Sequence, residues 1–377
     1  MEVCLDFLQL LETDMVLNIF SCLDDPADLV RASIVSRYWR DFVIGNGISK
    51  QLCVGLFPQL ANVEHVTEPD CRTITVTDVG SSKSMEWEIL KRDHKVYAAL
   101  LQVLTNLKSS PIECIAESFS ASSTDNYPDE SIRNTLDPRD RYFGRASYWS
   151  SKGHKDPSVP ETLIYKLKAD LCVITEIDIR PFEAFFQPGN PIYSAKSVRF
   201  RMGHPKSAME VENDLSRLPL QQPADDKFIW TCTSQEFAMT QENNLQQFKL
   251  PEPVLWIGGY LQIELLGRVQ RQETDGLFYI CVSHVKVLGR PLSPAFHIEI
   301  LEPSGKFLLK YYHDGLHHTL QSSSNGKEPE PAPMRLLTAE EMLRERVGLL
   351  QYLVGGNRQD DDALDWDDDE NEMDGFI

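Results

Sequence analysis

The stretch DLVRASIVSRYWRDFV, residues 28–43, has helical spacing but carries apolar side chains on more than one side. Leu29, Val30, Ile34, Val35, Tyr38, Trp39, Phe42 and Val43 exceed what one short helical face covers, since a half-buried surface helix shows a single apolar stripe. Such a segment buries its surplus against a core folded back from downstream, or against another protein. The residues before it have the same character: Met15, Leu17, Ile19, Phe20 and Leu23 form a wide apolar surface over three turns. Asp25 is placed to cap a new helix with Pro26 at its first position, and Ser36 is placed as a cap or corner before Trp39, Phe42 and Val43. The spacing predicts three short helices within residues 1–55. So small a bundle cannot bury all these side chains internally.

The whole chain has 377 residues, 42% of them hydrophobic and 25% charged, which predicts two or three folded units. A net charge of −20 argues against a nucleic-acid binder that works by neutralising phosphate. Half of that charge sits in the last stretch, where Asp360 to the end holds eight Asp and two Glu without Lys or Arg. The opening residues lack the basic region and small-residue cleavage site of a signal peptide. No apolar run approaches the roughly 20 residues that span a bilayer. The eight cysteines are scattered, with no metal-ligand spacing, and several sit in apolar strings as small hydrophobes. Reduced thiols in the cytoplasm or nucleus are the expectation, with no membrane and no nucleic acid as partner.

The longer string LLETDMVLNIFSCLDDPADLVRASIVSRYWRDFV, residues 10–43, resembles the F-box. In that pattern a Leu-Pro start is followed by an amphipathic helix, an Asp-Leu corner and a Val-Ser-x-x-Trp ending. Leu11, Asp14, Leu17, Ile19, Phe20, Leu23, Asp28, Leu29, Val35, Ser36 and Trp39 occupy matching positions; Glu12 stands where the family has proline. The resemblance implies that the apolar surplus docks on a Skp-type adaptor and, through it, on the cullin of an SCF ubiquitin ligase. The implied contact residues are Leu11, Asp14, Met15, Leu17, Ile19, Phe20, Leu23, Asp28, Leu29, Val35 and Trp39. Direct contact centres on the Leu11–Leu23 helix and the Leu29 corner, with Trp39 as an internal core residue of the bundle.

Residues 56–110 read as a helical connector, with Trp87, Leu90, His94, Tyr97, Leu101 and Leu104 on one stripe and His94 packed rather than liganding. From about residue 111 to 315 the period becomes two. Leu163, Tyr165 and Leu167 alternate with Ile164, Lys166 and Lys168; Leu171, Val173, Thr175, Ile177 and Ile179 face opposite Glu176, Asp178 and Arg180. Val198, Phe200 and Met202 alternate with Ser197, Arg199 and Arg201, and Leu261, Ile263 and Leu265 with Gln262 and Glu264. Turn signals such as QPGNP and WIGGY separate the runs. Half-buried strands without intervening helices predict an antiparallel sandwich or jelly roll, so the chain is α+β. The order SASSTDNYPDESIRNTLDP, SYWSSKG, TLIYKL, CVITEIDIRP, PIYSAKSVRFRMG resembles the discoidin or Doc-type galactose-binding-like fold. An F-box followed by such a region resembles a group of plant F-box proteins.

Loops at one rim of such a domain are where binding is expected. The candidates there are Asp125, Asn126, Tyr127, Arg145, Tyr148, Trp149, Ser150, Ser151 and Lys152. An exposed Tyr-Trp pair would stack on a sugar ring or anchor a peptide; alternatively Trp149 plugs the end of the barrel as core. In YYHDGLHH, Gly315 between His313 and His317 argues against a stable helix, so a surface loop is expected rather than a metal site. No nucleophile motif or phosphate-binding loop is present, so no catalytic residue, metal or cofactor is expected. A linker over 316–336 precedes a helix over 337–355, TAEEMLRERVGLLQYLV and its flanks, with Thr338 as cap and Glu341 completing a capping box. The acidic residues 356–377 are too self-repelling to build a core. The function this predicts is target recognition for a ubiquitin ligase; the alternative is a lectin-like F-box receptor that reads glycans on its targets.

Overall fold

In the computed structural model, residues 6–23, 25–69, 82–105, 110–139, 145–207, 219–220, 223–301 and 304–321 are described. A 3-10 turn, Phe7–Leu10, leads into α1 (Thr13–Ser21), α2 (Pro26–Val35), α3 (Arg37–Gly45) and α4 (Ile48–Leu56). Asp25 caps α2 by accepting from the Ala27 N–H at 2.8 Å, with Pro26 at the first helical position, where no N–H is missed. Ser36 ends α2 in extended backbone and caps α3, accepting from the Trp39 N–H at 3.2 Å. There are four helices here rather than the three expected. Gly47, at φ 59°, takes the left-handed turn that glycine adopts without steric cost, and the chain re-enters a helix on Ile48 and Cys53.

β1 (Val63–Thr67) and the long α5 (Ser82–Thr105) follow. Val96, Tyr97, Leu100, Leu101 and Leu104 of α5 are buried. His94 is a packed residue, its Nδ1 2.8 Å from the Ser49 hydroxyl.

The sandwich is built from β2 (Ile112–Glu113), β3 (Ile115–Ala121), β4 (Trp149–Ser150), β5 (Glu161–Leu167), β6 (Leu171–Glu183), β7 (Ile192–Tyr193), β8 (Ala195–Pro205), β9 (Phe228–Thr233), β10 (Phe237–Ala238), β11 (Gln246–Ile257), β12 (Tyr260–Arg268) and β13 (Cys281–Pro291). One sheet runs β10–β8–β12–β5–β3 with β9 also on β8. The other runs β11–β6–β13–β2 with β4 on β13 and β7 on β6. Every pairing in both is antiparallel. The central pairs, β12 with β5 and β8 and β6 with β11 and β13, join strands far apart in sequence, so the chain crosses between the sheets, as in a jelly roll. The alternating residues of β5, β8 and β12 named above all point into the shared core.

β6 departs from its expected alternation. Opposite both neighbours the register skips Thr175: Glu176 faces Lys249 and Leu288, and Ile174 faces Val254 and Gly289. The extra residue reverses which face the strand buries. Ile177, Ile179, Cys172 and Ile174 therefore line the sandwich core. Leu171 and Val173 turn outward and join the core of the helical region instead.

The sandwich also ends earlier than residue 315. β14 (Phe296–Leu301) and β15 (Lys306–Tyr311) form a separate three-stranded sheet with β1, in which β1 runs parallel to β15. This sheet, α1–α5 and the outward face of β6 share a single core. Arg290 of β13 ties the parts together, donating to the Val103 and Leu104 carbonyls at 3.4 and 3.3 Å, where a helix C-terminus favours a cation. The YYHDGLHH region is not a plain loop: α6 (Gly315–Gln321) is helical, because Gly315 begins the helix rather than interrupting it. The helix expected over 337–355 and the acidic residues 356–377 lie outside the described residues.

Candidate partner-binding surfaces

On α1, Val16 and Phe20 face the chain's own core while Met15 and Ile19 are 55% and 45% exposed. The preceding turn is split likewise, with Leu8 fully buried and Phe7 and Leu10 outward. Asp6 organises this corner. Its carboxylate accepts from the Trp39 Nε1–H at 2.9 Å and from the Leu8 N–H at 3.1 Å. The Trp39 ring meets Phe7 and Phe20 edge-on at 5.4 and 5.8 Å, a geometry aromatic quadrupoles favour.

The expected contact residues therefore separate into three groups. Asp14, Met15, Ile19 and Val35 are exposed. Leu11, Leu17, Leu23, Asp28 and Trp39 are half-buried. Phe20 and Leu29, each 2% exposed, are a correction: both belong to the internal core and offer no face to a partner. Phe7, Leu10, Val30, Ile34 and Tyr38, which the expected set lacked, are exposed. Periodicity could not separate them from core residues, because apolar positions surround the helices on all sides. Of the fourteen exposed large hydrophobics among the described residues, nine lie between Phe7 and Leu56. An apolar surplus this concentrated marks an interaction surface.

Glu12 precedes α1 without making a side-chain cap, at φ −66°, and its N–H has no acceptor among the described residues. That φ is proline's own, and Leu11 at ψ 150° has the extended backbone that the residue before proline requires. Glu12→Pro is therefore expected to raise unfolding free energy by about 0.4–1 kcal/mol through the unfolded chain. A rise in melting temperature checks this; a fall would show that the Glu12 N–H is needed.

At the far end of the sandwich the expected rim residues divide too. Asp125, Asn126, Tyr127, Arg145 and Lys152 are exposed, while Tyr148, Trp149, Ser150 and Ser151 are buried. The exposed Tyr-Trp platform is thus corrected. Trp149 is fully enclosed, donating through Nε1 to the Ser123 carbonyl at 3.0 Å. Tyr148 stacks on Phe182 at 3.7 Å and donates to Glu130 Oε1 at 2.8 Å. Both rings are large apolar bodies beside the open end of two sheets, and burying them closes that end.

Asp125, Asn126, Tyr148 and Ser150 do meet, around a small pocket of about 80 Å³ that Glu130, Tyr193 and Tyr279 complete. Asp125 is exposed as a residue, but its carboxyl is partly desolvated at the pocket, which pushes it up, and the nearby Asp275 charge adds to this. Burial likewise raises Glu130, against the hydrogen bonds from Tyr148 and Asn126. Carboxylates held this way accept hydrogen bonds and favour cationic or donor-rich groups. Cys281 in the same wall is pushed up by burial, so its thiol is inert. Among the described residues no group of His, Cys, Asp and Glu is placed to hold a metal.

The residues that position these loops escaped notice in the sequence. Arg268 and Glu161 form a buried ion pair, their side chains 1% and 5% exposed. Arg268 also donates to Ser151 Oγ at 3.0 Å and to the Lys152 and Phe278 carbonyls at 2.8 and 3.0 Å. Glu161 accepts from Ser122 and, at 2.8 Å, from Ser123.

The F-box-like family model matches residues 13–54. An F-box protein of Arabidopsis thaliana is 53% identical over 311 residues, 81% of this chain and 82% of that protein. Among solved structures, the CBM32-3 module of a family 31 glycoside hydrolase from Clostridium perfringens overlaps 46% of this chain and 90% of its own. Its identity is 12% and its TM-score 0.31. A fucolectin from striped bass serum (Morone saxatilis) overlaps 49% of this chain and 54% of its own, at 12% identity and a TM-score of 0.28.

Proposed function

This chain belongs to the F-box protein family, and from that premise we propose that it is the target-binding subunit of a Skp–cullin–F-box ubiquitin ligase. The observation that carries the proposal is the concentration of exposed apolar side chains on the turn and helices from Phe7 to Leu56. The adaptor covers Met15 and Ile19, with Phe7, Leu10 and Val35 as further contacts. The cullin is reached through the adaptor. At the other end, the loops bearing Asp125, Asn126, Tyr127, Arg145 and Lys152 hold a target protein, with the acidic pocket taking a donor-rich group. The chain supplies no catalytic side chain: holding a target's lysine beside the charged enzyme makes transfer effectively intramolecular. Six cysteines among the described residues are free thiols, which suits the reducing cytoplasm or nucleus. The glycan-reading alternative loses its stacking platform with Tyr148 and Trp149 buried, so the protein-target reading is preferred.

The test is adaptor binding by Met15→Asp/Ile19→Asp, two exposed positions where the fold tolerates the change. Anchors of this kind contribute about 2 kcal/mol each, so affinity is expected to fall at least about a hundredfold with the circular dichroism spectrum unchanged. A wild-type chain that does not bind a Skp-type adaptor, or a double variant that binds undiminished, rejects the proposal.

A further inference from the structure

A cleft of about 1580 Å³ separates the helices from the sandwich. Val30 and Ile34 of α2, Leu56 of α4, Ala98 of α5, Pro253 of β11 and Leu320 of α6 line it. Val30, Ile34 and Leu56 are 57%, 77% and 50% exposed, so large aliphatic side chains open onto it. Its volume exceeds the roughly 300–1,000 Å³ of a small-molecule site. A cleft of this size and character takes polypeptide.

We propose that residues 338–354 of this same chain, TAEEMLRERVGLLQYLV, occupy the cleft in the helical form their spacing predicts. Leu343, Val347, Leu350 and Val354 recur at i, i+4, i+7 and i+11, one apolar stripe along a helix about 26 Å long. Such a stripe needs an apolar trough, and the cleft is one. The path of the chain agrees. The described residues end at Gln321, and Leu320 is part of the cleft wall, so the rest of the chain departs from the cleft itself. Sixteen residues, 322–337, connect the two; as a flexible chain they span about 22 Å. A tether of that length holds the segment at about millimolar effective concentration, which favours it over a second copy of the chain or a dilute partner. Charge agrees as well. The lining carries Arg31, Arg40, Lys95 and Arg290 against Asp25 and Glu252, and the segment brings Glu340, Glu341 and Glu345 against Arg344 and Arg346, a small net negative charge facing a net positive lining. Seated there, it bridges α2 of the F-box and β11 of the sandwich. The inference does not depend on the adaptor reading.

The experiment uses the full chain without any adaptor, carrying the photo-crosslinking residue p-benzoylphenylalanine at position 350. The expected result is crosslinks to α2, α4 or α5 of the same molecule, with a yield independent of protein concentration. Ile34→Asp, at an exposed position, is expected to lower that yield at least tenfold. A second reporter at position 347 repeats the measurement in case the first perturbs the seat. Crosslinks confined to other surfaces, a yield that rises with concentration, or no effect of Ile34→Asp each overturn the proposal. So does the absence of crosslinks from both positions.

Discussion

Arg268→Met is expected to destabilise the sandwich by about 3–5 kcal/mol, because it strands the buried Glu161 carboxylate without its cation. The pair is almost wholly out of water, at 1% and 5% side-chain exposure. Arg268 also supplies donors to Ser151, Lys152, Val159 and Phe278, so three loop segments lose a partner together. At about 2–4 °C per kcal/mol for a domain of 150–250 residues, the melting temperature should drop by roughly 6–20 °C. Denaturant unfolding followed by tryptophan fluorescence reads the effect, since Trp149 lies beside these loops. The double substitution Arg268→Met/Glu161→Met should recover much of the loss, because no charge then remains buried. A single substitution costing under about 1 kcal/mol, the worth of an exposed pair, would mean that water reaches the site.

Gly289→Ala is the second large effect. A Cβ at this position would lie 2.3 Å from the Val173 carbonyl oxygen and 3.0 Å from the Ile174 Cα. These are backbone atoms of β6 beside the skipped Thr175 and cannot rotate aside. Overpacking costs typically about 1–3 kcal/mol, and the upper part of that range is expected where the obstacle is main chain. Gly55→Ala is the control: the added methyl meets nothing within 4 Å inside α4, and stability should hold or rise by about 0.5–1 kcal/mol. Equal effects at the two positions would contradict the close approach of β13 to β6.

Much of the architecture could be read from the residues, for identifiable reasons. The helix starts at Pro26 and Arg37 were legible because Asp25 and Ser36 are local caps whose chemistry acts over two or three residues. The faces of β5, β8 and β12 were legible because period two survives unbroken along them. β6 was not, since one extra residue reverses the faces and leaves no mark in composition. Nor was the allegiance of β14 and β15: FHIEIL alternates equally well on any half-buried sheet, and only tertiary contacts choose β1 as partner for β15. The candidate site shows the same limit. Asp125 and Asn126 stood out as loop residues, but Trp149 looks the same in sequence whether it stacks on a ligand or closes a core. Arg268 and Glu161 lie 107 positions apart and no local pattern links them.

The two-faced β6 also bears on how this molecule divides. The sequence offers a cut near residue 110, between α5 and β2, as though an adaptor module and a target module had been joined end to end. A sandwich released there would carry Leu171, Val173 and Leu255 as a bare greasy patch, since all three belong to the helical core. The helices would lose β14 and β15, which the chain delivers only after the sandwich is complete. Neither piece is a transplantable cassette, so swapping the targeting end for another means rebuilding the seam as well.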